Sequence, residues 1–434
     1  MDRNGKLLYH YNINTLNPRP KSRILKAKDM KNDHIKDATG PLKGIRVIEM
    51  GQLLAGPFCG QLMGDFGAEV IKVEQPGIGD PMREWGREKP HGLSLWWPVI
   101  ARNKKSVTLN LRLKEGQDIV RDLVRKSDIL IENFRPGTME KWGLGYEELK
   151  KINPGLIMVR VSGFGQDGPY ASRPGYGAIG EAMGGLRYVV GDPATPPSRM
   201  GISIGDELAA TFACLGALAA LHYRNQTGEG QMIDSAIYEA VLAMMESLIS
   251  EYVEAGYIRE RSGAILPNVA PSNIYPTKDD NFVLIAANQD TVFKRLAAAM
   301  GHPEWAEDAR YKGHSARGQH QKELDEMISD WSRTMTAEDL MALLDQYGIP
   351  QGKIYRAPDM LSDAHFKARE AIIKVAHPQF KDLKMQNVFP KFSKTPGKVR
   401  WPGPALGEHN REIYRDLLEV SAEKFEEMAK RDII

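Results

Sequence analysis

At 434 residues, 42% apolar and 26% charged, the chain has the make-up of a folded globular protein too long for one ordinary domain. A net charge of +2, with no long runs of Lys or Arg, excludes a basic nucleic-acid surface as the organising feature. Cys59 and Cys214 both fall in apolar helical patterns, which excludes a disulfide framework and points to a reducing, cytoplasmic compartment.

Residues 1–40 hold Asn, Lys, Asp and Pro with little apolar periodicity. They contain no apolar h-region, and Asp2, Asp29, Asp33 and Asp37 argue against an acid-poor transit peptide. A flexible or surface-draped arm is expected there. From Gly44 the pattern becomes β-α-β. Residues 45–50 (IRVIEM) predict a strand, 57–66 a helix with Pro57 in its first turn, and 69–74 (EVIKVE) a second strand. Strands at 106–111, 128–134 and 156–161 then alternate with helices at 115–126 and 146–152. This alternation predicts an α/β fold, a Rossmann-like parallel sheet covered on both faces. The first turn, Gly51-Gln52-Leu53-Leu54-Ala55-Gly56-Pro57, is not GxGxxG, which argues against a dinucleotide despite Glu74 ending the second strand.

Ligands of such sheets bind at the carboxyl ends of the strands. The loop 75–103 places Arg83, Arg87 and Arg102 there, followed by Lys104 and Lys105. The turn after residue 132 offers Asn133 and Arg135. Five glycines and two prolines shape residues 162–177 into a loop. Next comes Gly205-Asp206 and a long apolar helix, read as 207–225, which sets Asp206 at or near its N-cap, ionised at neutral pH. By itself this is a capping aspartate or the best-placed carboxylate for chemistry. Residues 237–252 predict one further helix, 281–287 a strand, 337–346 a helix, 372–375 a strand, and 408–418 and 422–434 two closing helices. The expected division is an arm (1–40), a large domain (41–255), a smaller α+β domain (256–355) and a segment (356–434) returning to the large, discontinuous domain. No 18-residue apolar run is apparent, so no membrane span is expected. HExxH, paired CxxC and P-loop motifs are all absent, so no metal is expected.

The spread of motifs resembles the class III CoA-transferases. It is carried by residues 44–49, Ala55-Gly56-Pro57, 67–74, Asn103-Lys104-Lys105-Ser106, 128–137, 163–176, Gly205-Asp206, Thr227-Gly228-Glu229-Gly230-Gln231 and Leu406-Gly407-Glu408-His409. The resemblance implies an interlocked homodimer with no permanently bound cofactor. Its substrates would be an acyl-CoA, with succinyl-CoA one candidate, and a small carboxylic acid. It makes Asp206 the nucleophile, passing through a mixed anhydride and an aspartyl-CoA thioester. It aligns Leu53, Leu54, Ala55, Gln75, Lys104, Asn133, Phe134, Arg135 and Tyr176 with the coenzyme A path, Gln75 replacing an arginine common there. Arg83 is the candidate grip for the second carboxylate of a dicarboxylic acid; the competing reading gives it to a phosphate or a loop acid. Two alternatives share the fold: an α-methylacyl-CoA racemase, disfavoured because Tyr176 stands where a histidine base is required, and a non-catalytic CoA-binding subunit.

Overall fold

The computed structural model describes residues 39–434; the expectation of an N-terminal arm falls almost wholly outside them. Six strands form a parallel sheet: β1 (Arg46–Glu49), β2 (Glu69–Glu74), β3 (Lys104–Thr108), β4 (Ile129–Glu132), β5 (Ile157–Ser162) and β6 (Met232–Ala236). Their order is β3-β2-β1-β4-β5-β6, the Rossmann arrangement. Val47 pairs with Val70 on one side and Ile129 on the other. β1, β3, β4 and β5 are buried along their whole length, as strands covered on both faces must be.

One face carries the helix Ala55–Asp65 and the long helix Ile204–Thr227. The long helix presents Ala209, Ala210, Ala213, Ala217 and Ala220, all buried, along its inner side. The first helix turns Gly56, Gly60 and Gly64, all buried, toward the sheet, where a Cβ on Gly60 would fall 1.9 Å from Glu49 Oε2. Small side chains on both helices allow a close approach to the sheet. The thiols of Cys59 and Cys214 meet between the two helices, and that contact together with burial pushes the Cys59 thiol up. By length and composition alone the long helix could cross a membrane, contrary to the expectation of no such run. Its alanine side packs into the sheet core, while Phe212 and Leu215 on its other side are exposed.

The other face is covered by Lys114–Arg125, Tyr146–Ile152 and the C-terminal elements Arg411–Leu417 and Ala422–Lys430. The chain comes back to β3 by specific bonds. Trp401 Nε1 donates to the Lys104 carbonyl at 2.9 Å, Tyr414 Oη to the Thr108 carbonyl at 2.7 Å, and Asn110 N to the Ile433 carbonyl at 2.8 Å. Strands β7 (Ser272–Pro276), β8 (Phe282–Ala286) and β9 (Gln351–Lys353) form a separate antiparallel sheet with its own apolar core. β10 (Ile372–His377) and β11 (Lys381–Gln386) form a hairpin.

Two helices differ from expectation. The span 237–252 is two helices, Ile237–Leu242 and Leu248–Ala255. Between them Glu246 adopts a left-handed conformation (φ 52°) and pairs at 3.0 Å with Arg259, which also holds Ser247 and Glu251. The long helix begins at Ile204, so Asp206 is its third residue, not its cap. Ser203, at the cap, makes no side-chain capping bond.

Candidate active site

A cavity of about 640 Å³ opens where β1, β4 and β5 end, within the size range of small-molecule sites. Gln52, Leu53, Leu54 and Ala55 after β1 form one wall. Asn133, Phe134, Arg135 and Pro136 after β4 form the next. Residues 161–163 and 171–178 and the approach to the long helix complete it. Eight sequence-predicted site residues meet here: Leu53, Leu54, Ala55, Asn133, Phe134, Arg135, Tyr176 and Asp206.

The first two walls are clasped together. Asn133 Oδ1 accepts from Gln52 N at 2.8 Å, and Asn133 Nδ2 donates to the Gln52 carbonyl at 2.9 Å. The Asn133 amide therefore shapes the wall, its hydrogen bonds already committed to the backbone. Leu53 sits in a left-handed conformation (φ 62°), its N–H held by Asp80 Oδ1 at 3.1 Å. Asp80 is in turn paired at 2.6 Å with Lys72, which also donates to the Gly51 carbonyl. Buried charges beneath the sheet edge thus fix a strained turn at the cavity wall.

Asp206 opens into this space from the first turn of the long helix. Its carboxylate accepts no hydrogen bond from the described residues, and its pKa is raised to about 6. Burial is the main cause, the charges of Glu181 and Glu207 add to it, and Arg199 opposes them. The expectation of an ionised aspartate still holds at pH 7. Its environment, however, raises the pKa where a helix N-terminus alone would depress it. Buried Glu181 accounts for part of this. Its Oε1 faces Gly205 N at a long 3.4 Å, and its Oε2 pairs with Arg187 at 2.9 Å.

Three predicted residues are not in the cavity. Lys104 is fully buried within β3, pairing with Glu49 at 2.8 Å and donating to the Pro57 carbonyl at 2.6 Å. Gln75 lies in the turn after β2, its carbonyl accepting from Gly79 N at 2.9 Å. Arg83 holds Glu74 through two 2.8 Å bonds, donates to the Pro404 carbonyl at 3.1 Å and lies 3.7 Å over the Trp97 ring. Its competing reading, attachment to an acid, describes it better, although that acid ends a strand instead of lying in the loop. Sequence reasoning gave no site role to Trp85, Arg173, Arg187, Arg199 and Ser203, which also line the cavity. Arginines in a glycine-rich stretch were the available signal.

A parallel sheet of this strand order, a strand-end cavity whose turn after β1 lacks the dinucleotide glycines, and a carboxylate at a helix start define the geometry. The family model for CoA-transferase family III matches residues 42–410. The chain belongs to that family. It is a CoA-transferase, and CoA-transferases take CoA thioesters as substrates. Over 394 residues it is 60% identical to the succinyl-CoA–D-citramalate CoA-transferase of Chloroflexus aurantiacus, covering 91% of this chain and 98% of the relative. It is 41% identical over 399 residues to the beta subunit of that organism's succinyl-CoA–L-malate CoA-transferase, again covering 91% and 98%. Among solved structures, a CaiB/BaiF family protein from Brucella suis superimposes with a TM-score of 0.78 at 34% identity, covering 87% of this chain and 100% of that one.

Proposed function

We propose that this CoA-transferase moves CoA from succinyl-CoA to a short hydroxylated dicarboxylic acid of the citramalate class, with Asp206 as covalent nucleophile. The observation that carries the reading is the Asp206 carboxylate, unpartnered and facing a cavity that Arg135, Arg173, Arg187 and Arg199 make positive. The 60% identity to an enzyme named for that pair of substrates supports the choice of acids.

The steps balance without an external energy source. An Asp206 oxygen attacks the thioester carbonyl carbon, the C–S bond breaks, and CoA leaves as thiolate. The thiolate attacks the Asp206 carbonyl of the resulting anhydride, releasing succinate and forming an aspartyl-CoA thioester. The acceptor carboxylate displaces the thiolate, giving a second anhydride, and the thiolate then attacks the acceptor's acyl carbon. Asp206 returns as carboxylate. Splitting one transfer into four exchanges at carbonyl carbons is the gain from covalent catalysis. The walls at 52–55 and 133–136 and Tyr176 would line the CoA arm.

The reading extends to a homodimer, interlocked as in the family. Leu215, at 61% exposure, and Val253, at 68%, are left in water, as are Phe212, Met244, Ile249 and Tyr252, and a partner subunit would cover such side chains. It also takes 41–255 with 356–434 as one discontinuous domain and 256–355 as a second. The separate core of β7–β9 and the bonds from the C-terminal segment to β3 support that division. A reducing cytoplasm is the compartment proposed.

Incubation with succinyl-CoA and hydroxylamine, followed by peptide mass spectrometry, tests the chemistry. A hydroxamate at Asp206 is expected. Full CoA exchange by Asp206→Asn would overturn it.

A further inference from the structure

Among the cavity arginines, two have an evident engagement. Arg187 is paired with Glu181 at 2.9 Å. Arg173 lies 3.8 Å over the Tyr170 ring. Arg135, exposed in the turn after β4, is without a side-chain partner among the described residues. Arg199 is likewise exposed, it forms no ion pair among the described residues, and its guanidinium reaches only Ser203 Oγ, at 3.5 Å, beyond a good hydrogen bond. Ser203 is the cap residue of the long helix and lines the same cavity, three residues before Asp206. A guanidinium without a carboxylate partner thus lines the same cavity as the reacting carboxylate, at the cap of its helix. It is also the one cation among the main influences on the Asp206 charge.

We infer that Arg199 selects dicarboxylic acids, receiving the carboxylate of the acyl group that does not react at Asp206. The inference rests on the proposed function and assigns the acid specificity of that same site. In a succinyl group the second carboxylate stands two methylenes from the carbonyl under attack, so its binding site must lie close to Asp206 without touching the reacting carbon. A fork of donors held there takes a planar carboxylate through two parallel bonds. An acyl group ending in methyl would leave the guanidinium without a partner. Arg83, the alternative grip, is already committed to Glu74.

The test measures CoA exchange by the full-length enzyme, with succinyl-CoA and butyryl-CoA as donors and citramalate and butyrate as acceptors, for wild type, Arg199→Ala and Arg199→Lys. Arg199→Ala is expected to lose about 30-fold or more in kcat/KM for the dicarboxylic pair while the butyryl–butyrate exchange changes less than about threefold. Arg199→Lys, keeping the charge without the fork, should fall between. Equal losses on both pairs would overturn the inference, as would a variant that keeps the wild-type preference. A wild type that transfers CoA without preferring dicarboxylic acids would overturn the acid class proposed above, and this inference with it. Thermal unfolding of the variants should match wild type, since the side chain is exposed.

Discussion

Gly177 lies against the Asp206 carboxylate: a Cβ at position 177 would fall 2.2 Å from Asp206 Oδ2 and 2.7 Å from its Cγ. Gly177 opens the helix Gly177–Met183 and needs no left-handed backbone. Gly177→Ala should therefore keep or slightly raise stability, by up to ~1 kcal/mol, since alanine is the better helix former. The methyl must displace the carboxylate, and misplacement by about 1 Å lowers kcat by ~100-fold. Unfolding curves beside steady-state kinetics check this; a fully active variant would overturn it.

Asp206 should set the acid side of the pH profile. With its pKa at about 6, kcat/KM is expected to fall about tenfold per pH unit below that value. The same shift affects the fold. Between pH 4 and 6 the folded chain holds a proton that the unfolded chain has released. The penalty for the charge is thus absent below the ordinary carboxylate value of 3.8 and complete above about 6. Asp206→Asn should then be inactive yet more stable than wild type at pH 7, by at most ~3 kcal/mol at ~1.4 kcal/mol per pH unit. The gain should vanish near pH 4. Denaturant unfolding at both pH values measures it, and a less stable variant at pH 7 would contradict the assignment.

Glu181→Gln removes a charge that raises the Asp206 pKa and releases Arg187 from its 2.9 Å pair. Both changes favour the Asp206 carboxylate. The acid limb of kcat/KM should move to lower pH; an unmoved limb, or one shifted upward, rules out the electrostatic link.

Arg83→Ala is expected to weaken the fold by about 3 kcal/mol, because Glu74 would be left buried without its cation. Any loss of activity should be the same for every acid. Lys104→Met, which strands Glu49 with Lys72 at 3.1 Å, should likewise lower Tm while leaving KM for acyl-CoA within about twofold. A selective rise in that KM would restore Lys104 to the coenzyme path.

The parallel sheet was legible because short stretches rich in β-branched residues, LIMVRV for β5 and EVIKVE for β2, alternate with helical patterns. The edge strands β9 and β11 escaped notice for the opposite reason: Gln351-Gly352-Lys353 and Lys381-Asp382-Leu383-Lys384-Met385-Gln386 are polar, short or exposed on both sides. At the site, the rule that loops at strand ends meet one another assembled residues as distant as Leu53, Asn133 and Asp206. Cations were harder. Arg83 and Lys104 looked like ligands for an anion because their acids, Glu74 and Glu49, lie on neighbouring strands whose ends only the fold brings together. Arg199 looked like one more loop charge, and its place at the cap of the Asp206 helix, free of an ion pair among the described residues, exists only in three dimensions.

The alanine seam beneath the long helix, beside a first helix whose glycines press on the sheet, bears on how such enzymes diverge. A seam this close offers no volume for enlarging side chains, since overpacking a tight core destabilises it. Asp206 is therefore anchored to a part of the molecule that selection can hardly alter. The stretch 190–203, which leads into it, is largely solvent-exposed and free to vary. Descendants that acquire a new acid should keep the seam and rewrite that approach.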